Sequence, residues 1–136
     1  MLGEHGIHAG FRDPNAASGG TAHLTAIVGQ YCKDANQGFL LGYQRFGRLC
    51  FEVGTEEDWF TLWADDERLQ RGAWNHVAAV FDGEEGRMSL YLNGELASGT
   101  RVFPDSAIAP AVNERLLIGR NAYTTRSRIT RPTSTC

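Results

Sequence analysis

Trp59, Thr61 and Trp63 occupy alternate positions of one short run, Trp59-Phe60-Thr61-Leu62-Trp63-Ala64. Side chains two residues apart on a β-strand point to the same side of the sheet, so the two indoles and the hydroxyl share one face, and Phe60 and Leu62 share the other. A face of this kind suits carbohydrate: an aromatic ring lies against the apolar side of a sugar ring while fixed polar groups meet its hydroxyls. One of the two sets must be core. If Phe60 and Leu62 pack inward, Trp59 and Trp63 form a sugar platform, with Tyr43 and Tyr91 as neighbours. The opposite arrangement, with the tryptophans inside and Phe60 and Leu62 outward or beneath a loop, is the expected one. The binding set is therefore conditional on the phase of this strand.

Cleavage of a glycosidic bond needs two carboxylates placed across it. Asp65-Asp66-Glu67 are consecutive, so they cannot all point into one cleft, and they read as a solvated loop. A hydrolytic pair would have to come from separate strands, such as Glu52 with Asp58 or Asp82. The chain contains no G-x-S-x-G elbow, Walker loop or dinucleotide fingerprint, and no catalytic residue is assigned. Cys32, Cys50 and Cys136 show no C-x-x-C spacing with a matching histidine pair, which argues against zinc. A Cys32–Cys50 disulfide is conceivable in an extracytoplasmic protein, but buried, idle thiols are the preferred reading. His5 and His8 form an H-x-x-H pair without a third ligand, near an end that reads as mobile.

The 136 residues carry a net charge of −3, distributed unevenly. Residues 123–136 hold Arg126, Arg128 and Arg131 and no acid, which leaves −6 on residues 1–122. An acidic body without a basic stripe argues against nucleic acid, whose binding depends on neutralising phosphates. The longest apolar runs, such as Val77 to Phe81, are far shorter than the roughly 18 to 20 residues of a membrane-spanning helix, so no membrane is expected as a partner. The first residues have neither a basic start nor an apolar stretch, so no secretory signal is read there.

The elements that must position these residues are strands. Short β-favouring runs recur from Leu24 onward with turn residues between them: Leu24–Gly29, Gly38–Tyr43, Arg48–Val53, Trp59–Ala64, Asn75–Asp82, Arg87–Asn93 and Arg115–Gly119. Leu49, Phe51 and Val53 form an apolar face with Glu52 turned away, which makes that strand half exposed. Met88, Leu90 and Leu92 point inward, and Val77 to Phe81 is apolar on both sides, as in a central strand. Asn93-Gly94 is a type I′ turn pair that folds Arg87–Asn93 back onto Glu95–Ser98. Asp82–Gly86 and Gln44–Gly47 supply two further hairpin loops. Residues 1–23 read as an N-terminal loop, residues 24–122 as one β-sandwich, and residues 123–136 as a loose, basic, Ser/Thr-rich tail or a non-native end.

Trp74-Asn75-His76-Val77-Ala78-Ala79-Val80-Phe81-Asp82-Gly83, then Leu90-Tyr91-Leu92-Asn93-Gly94-Glu95-Leu96, then Leu116-Leu117-Ile118-Gly119-Arg120 follow one another within 47 residues. This order resembles the laminin-G-like, concanavalin A-like lectin/glucanase superfamily, and the spelling is similar to lectin-like modules appended to bacterial glycoside hydrolases, fructan-cleaving ones included. The resemblance implies an all-β, antiparallel jelly-roll sandwich. It also implies a non-catalytic carbohydrate-binding module that serves a glycoside hydrolase and is extracytoplasmic if that enzyme is secreted. Glucan-cleaving members use E-x-D-x-x-E on one strand; the nearest string, Glu56 to Thr61, has Thr61 in place of the third acid. Calcium is common in the superfamily, and Asp82 and Asn93 are the oxygen candidates, although turn formation already accounts for both. Trp74 reads as core or sheet-edge packing, and His76 as a hydrogen-bonded structural residue. The superfamily's opening F-S-x-x-x-W strand and closing G-x-I-D-E-V strand are not found, so the sandwich is expected to lack its first and last strands and to self-associate through exposed edges. The rival expectation is a structural or protein-interaction sandwich that binds no sugar.

Overall fold

The computed structural model describes residues 4–11 and 24–120. They form nine strands, β1 (Glu4–Phe11), β2 (Thr25–Cys32), β3 (Gln37–Gln44), β4 (Arg48–Thr55), β5 (Trp59–Arg68), β6 (Asn75–Asp82), β7 (Arg87–Leu92), β8 (Glu95–Arg101) and β9 (Leu117–Ile118), with short 3-10 turns at Lys33–Ala35 and Arg45–Gly47. Two sheets result, a four-stranded one in the order β1-β6-β7-β8 and a five-stranded one in the order β5-β4-β3-β2-β9. Every ladder is antiparallel. The architecture is the expected jelly-roll sandwich.

The core lies between the sheets. Leu41, Leu49, Phe51 and Val53 of the five-stranded sheet meet Val77, Ala79, Phe81, Met88, Leu90 and Leu92 of the four-stranded one, all buried. Period-two patterning explains each contribution, and burying this apolar surface is the dominant favourable term. The three hairpins form as expected. Asn93 and Gly94 turn β7 into β8 with φ of 52° and 84°, the left-handed geometry of a type I′ turn. Asp82 Oδ1 accepts a hydrogen bond from the Glu85 amide at 3.0 Å and so shapes the loop between β6 and β7.

Four expectations need correction. The N-terminal segment is not all loop: β1 pairs with β6 over eight residues, from Glu4↔Asp82 to Phe11↔Asn75, and takes in the positions of His5 and His8. Its ladder closes across some seventy intervening residues, so no local turn announces it. β9 is shorter than expected, Leu117–Ile118 instead of Arg115–Gly119, and it pairs with β2 in the five-stranded sheet whereas β1 belongs to the other sheet; the stretch after Arg120, where a further closing strand would fall, lies outside the described residues. Glu52 is 5% exposed rather than solvated, because β4 lies between β3 and β5. Asp65, Asp66 and Glu67 are exposed as expected, but they belong to β5 rather than to a loop. The tail at residues 123–136 lies outside the described residues.

Residues 102–116, between β8 and β9, cross from one sheet to the other and close one end of the sandwich. The Val102 amide donates to Gly86 O at 2.7 Å and Ser106 to Gly83 O at 3.0 Å; farther on, Ala109 donates to Gly54 O at 2.8 Å. Gln30 Nε2 then holds Ala111 O and Glu114 O at 3.2 and 2.8 Å. Val102 and Ile108 pack against the core. At the opposite end of β6, Asn75 is 1% exposed and takes the inward position expected of its neighbour, leaving Trp74 72% exposed. The Asn75 amide accepts from Gln70 N and donates to Gln70 O and Ala73 O, at 2.9, 3.0 and 3.0 Å, which ties the Arg71–Ala73 turn shut.

Cys50 is a free, buried thiol, so the Cys32–Cys50 bridge is not formed. Burial pushes the thiol well above its ordinary range, and the Glu52 carboxylate adds to the shift. Three measurements follow. Replacing Asn75 with alanine orphans buried backbone groups and lowers unfolding free energy by about 2 to 3 kcal/mol in a denaturant titration. Gly38 has φ of 91°, and a Cβ there would sit 1.9 Å from Gln30 O, so Gly38→Ala costs at least about 2 kcal/mol in the same assay. Peptide mapping after alkylation at pH 8 finds Cys50 unmodified in native protein and modified once denaturant is added.

Candidate functional site

The phase of β5 is decided by its inward set. Leu62 and Ala64 are 5% and 0% exposed within the core, and Phe60 packs against it, meeting Phe103 edge-on with ring centroids 6.1 Å apart. Trp59, Thr61 and Trp63 therefore lie on the outer face of the five-stranded sheet. This overturns the expectation that the tryptophans pack between the sheets; on the outer face both are half-buried, Trp59 against a second apolar cluster of Ala26, Tyr31 and Leu40.

The cross-strand rows show how this face is shaped. Tyr31 stands opposite Gly38, Gly38 opposite Gly54, and Gly54 opposite Trp59. Two aromatic side chains thus flank two positions that carry none, and they lean across the gap until their ring centroids are 6.2 Å apart at 54°. In the parallel row, Gly42 and Cys50 lie beside Trp63. Between the rows, Thr61 Oγ1 donates to Glu52 Oε1 at 3.2 Å, while Lys33 Nζ approaches Glu52 Oε2 at 2.8 Å.

Each indole carries a cation. Lys33 Nζ lies 5.4 Å from the Trp59 ring centroid, and the Arg48 guanidinium carbon lies 5.4 Å from that of Trp63. Arg48 is fixed by its Nε, which donates to Ala64 O at 2.8 Å. Cation–π contacts of this length hold the side chains in place. The Lys33 turn is itself anchored, since Asn36 Nδ2 donates to Glu56 O and Glu57 O at 3.3 and 3.0 Å and the Glu56 amide returns to Asn36 O at 2.8 Å. These bonds tie the turn after β2 to the turn before Trp59. The Trp59 indole N–H is buried and has no acceptor among the described residues. The polar part of the site, Lys33, Arg48 and Glu52, is what sequence reasoning missed; the alternation of Cys50, Glu52 and Gly54 opposite Trp63, Thr61 and Trp59 was the available signal.

The other expected residues are not brought to this face. Tyr43 is 9% exposed and belongs to the core, because its position on β3 is in phase with Leu41. Tyr91 sits on β7 in the four-stranded sheet, opposite Ala78, and lines a groove on the far side of the sandwich. Asp82 and Asn93 do not converge on a calcium ion: Asp82 ends β6, whereas Asn93 Oδ1 accepts from the His76 amide at 2.8 Å near its beginning. Glu52 and Asp82 belong to different sheets, so they do not face one another across a shared cleft. A further, mainly apolar cavity of about 400 Å³ lies under the crossing loop, lined by Phe39, Phe51, Ile108 and Val112 among others.

Comparison with known proteins follows the fold. The chain is 32% identical over 68 residues to human pentraxin-related protein PTX3, a stretch that is 50% of this chain and 17% of that protein. The CBM40 module of the Ruminococcus gnavus IT-sialidase superposes with a TM-score of 0.63 at 19% identity, over 85% of this chain and 62% of that one. A form of that module bound to α2,3-sialyllactose superposes with a TM-score of 0.61. Domains LG4-5 of the mouse laminin α1 chain superpose with a TM-score of 0.64 at 14% identity, over 95% of this chain and 31% of that one. The chain thus spans less than a fifth of its curated relative and under two thirds of the sialidase module. Residues 14–130 match the Laminin G 3 model, and the chain belongs to that family of the concanavalin A-like lectin/glucanases superfamily.

Proposed function

We propose that the chain is a non-catalytic, lectin-like module that binds a glycan across Trp59, Thr61 and Trp63 on the outer face of the five-stranded sheet, beside a glycoside hydrolase. The observation that carries this reading is the phase of β5, which buries Leu62 and Ala64 and turns both indoles outward. Trp59 and Trp63 are four residues apart on one strand, about 13 Å at 3.3 Å per residue, a span suited to an oligosaccharide rather than to one ring. Lys33, Arg48 and Thr61 supply donors and acceptors for hydroxyls, and Glu52, itself buried, holds Lys33 and Thr61 in place. The sialyllactose bound to a sialidase module of the same fold supports the ligand class and the accessory role. Glu52 is engaged by Lys33 and Thr61, which suits a positioning carboxylate better than an acid or nucleophile.

A second reading has one observation in its favour. Val112, Leu116 and Ile118 are 75%, 55% and 78% exposed around the edge strand β9, as in a protein-interaction face. In that reading the chain self-associates and its tryptophans bind nothing.

Affinity electrophoresis and a glycan array with inulin, levan, β-glucans and sialyllactose separate the two. The first reading gives retardation on at least one glycan, reduced at least about tenfold by Trp63→Ala, as for a hot-spot tryptophan, and partly retained by Trp63→Phe. Unretarded folded protein, or retention unaffected by Trp63→Ala and Trp59→Ala, overturns it. Light scattering tests the second reading, which requires concentration-dependent oligomers; a monodisperse monomer contradicts it. Incubation with the same polysaccharides releases no reducing ends, and release that is lost on Glu52→Gln would contradict the non-catalytic assignment.

A further inference from the structure

The outer face of the four-stranded sheet carries its own concavity, on the side of the sandwich away from the tryptophans. Ala78 stands opposite Tyr91, Val80 opposite Ser89, and Ser89 opposite Gly99. Small side chains therefore form a floor, with Ala78 and Ser89 only 4% and 8% exposed although they belong to the solvent-side set of the sheet. Larger polar residues, among them His76, Asp82, Arg87 and Tyr91, surround this floor and enclose a groove of about 430 Å³. That volume falls within the range of small-molecule sites, roughly 300 to 1,000 Å³.

We propose that this groove is a second carbohydrate subsite, which takes a single neutral hexopyranose unit independently of the Trp59–Trp63 face. Its chemistry is that of hydroxyl recognition. Sugar hydroxyls both donate and accept, and the groove presents a donor on Arg87, an acceptor on Asp82, and hydroxyls of both kinds on Ser89 at its floor and Tyr91 at its rim. The Asp82 carboxylate is aimed by its bond from the Glu85 amide. Arg87 is oriented by its pair with the Glu85 carboxylate, and because both partners are about half exposed that pair is weak enough to yield to a ligand. Asp82 and Glu85 offset Arg87, so the rim has no strong positive field to select an anion. Tyr91 is half-buried and offers the one aromatic wall among these lining residues, enough for one ring where the other face has two indoles. The inference stands apart from the reading of the tryptophan face, and either can fail alone. If both hold, one module grips two stretches of a polysaccharide and gains avidity without new contacts.

Titration of the ¹⁵N-labelled full chain with the methyl glycosides of glucose, galactose, mannose and fructose tests the proposal. For at least one glycoside, amide shifts at Ala78, Ser89 and Tyr91 saturate with ligand. Arg87→Gln and Tyr91→Phe each weaken that response about tenfold, as expected for removal of one directed hydrogen bond to a sugar. Tyr91→Phe keeps the ring and the fold, so loss of response in a well-dispersed spectrum reports the hydroxyl. Saturating shifts confined to residues around Thr61 and Trp63 overturn the second subsite and leave the first reading standing. Shifts confined to the groove do the reverse, and the absence of saturating shifts with all four glycosides overturns the subsite.

Discussion

The two sides of β5 are both apolar enough to be core, and only one can be. Leu62 and Ala64, with Phe60 at the margin, fill the space facing β7 and β8 across the sandwich. A shift of one residue along β4 would exchange both sets at once, exposing Leu62 and Phe60 and forcing two indoles into a space packed for smaller groups. Everything proposed for the tryptophan face depends on this phase. The ladder from Gly54↔Trp59 to Cys50↔Trp63 fixes it, and a register irregularity follows toward Arg48↔Arg68.

The glycines make the same point from the neighbouring strands. Gly38 and Gly54 let neighbouring backbone approach closely beside the Tyr31–Trp59 pair: a Cβ at Gly38 would lie 1.9 Å from Gln30 O, and one at Gly54 2.3 Å from the Asn36 carbonyl group. Asn36 in turn bridges the turn after β2 to the turn before β5. Bare backbone on β3 and β4, aromatic rings on β2 and β5, and one asparagine latch thus form a single device. Its outcome is an aromatic face held by packing and by cations rather than by a flexible loop.

Much of this was legible in the sequence because its signals are local. Asn93-Gly94, the Asp82–Gly86 loop and the alternation of Met88, Leu90 and Leu92 each act within a few residues, and they place β6, β7 and the start of β8 almost to the residue, although β8 runs on to Arg101. What was not legible depends on distant partners. The run Glu4–Phe11 becomes a strand because β6 offers it an edge. Glu52 is buried in the central strand β4 and is matched there by Lys33, from the turn after β2. Trp74 is exposed because Asn75 takes the inward position and closes a buried turn with three hydrogen bonds. Tyr43 and Tyr91 were grouped with the tryptophans by residue type alone, whereas sheet membership and strand phase separate all three locations.

The most direct measurement on this account compares two lysine substitutions one residue apart. Thr61 is exposed beside Glu52, and Leu62 is 5% exposed in the core. If the tryptophans face outward, Thr61→Lys unfolds within about 1 kcal/mol of the parent, since an exposed charge beside a carboxylate costs little. Leu62→Lys then fails to fold or loses several kcal/mol, because a charge enters an apolar interior without a partner. A tolerated lysine at position 62, together with a ruinous one at position 61, would place the indoles inside the sandwich and contradict the account.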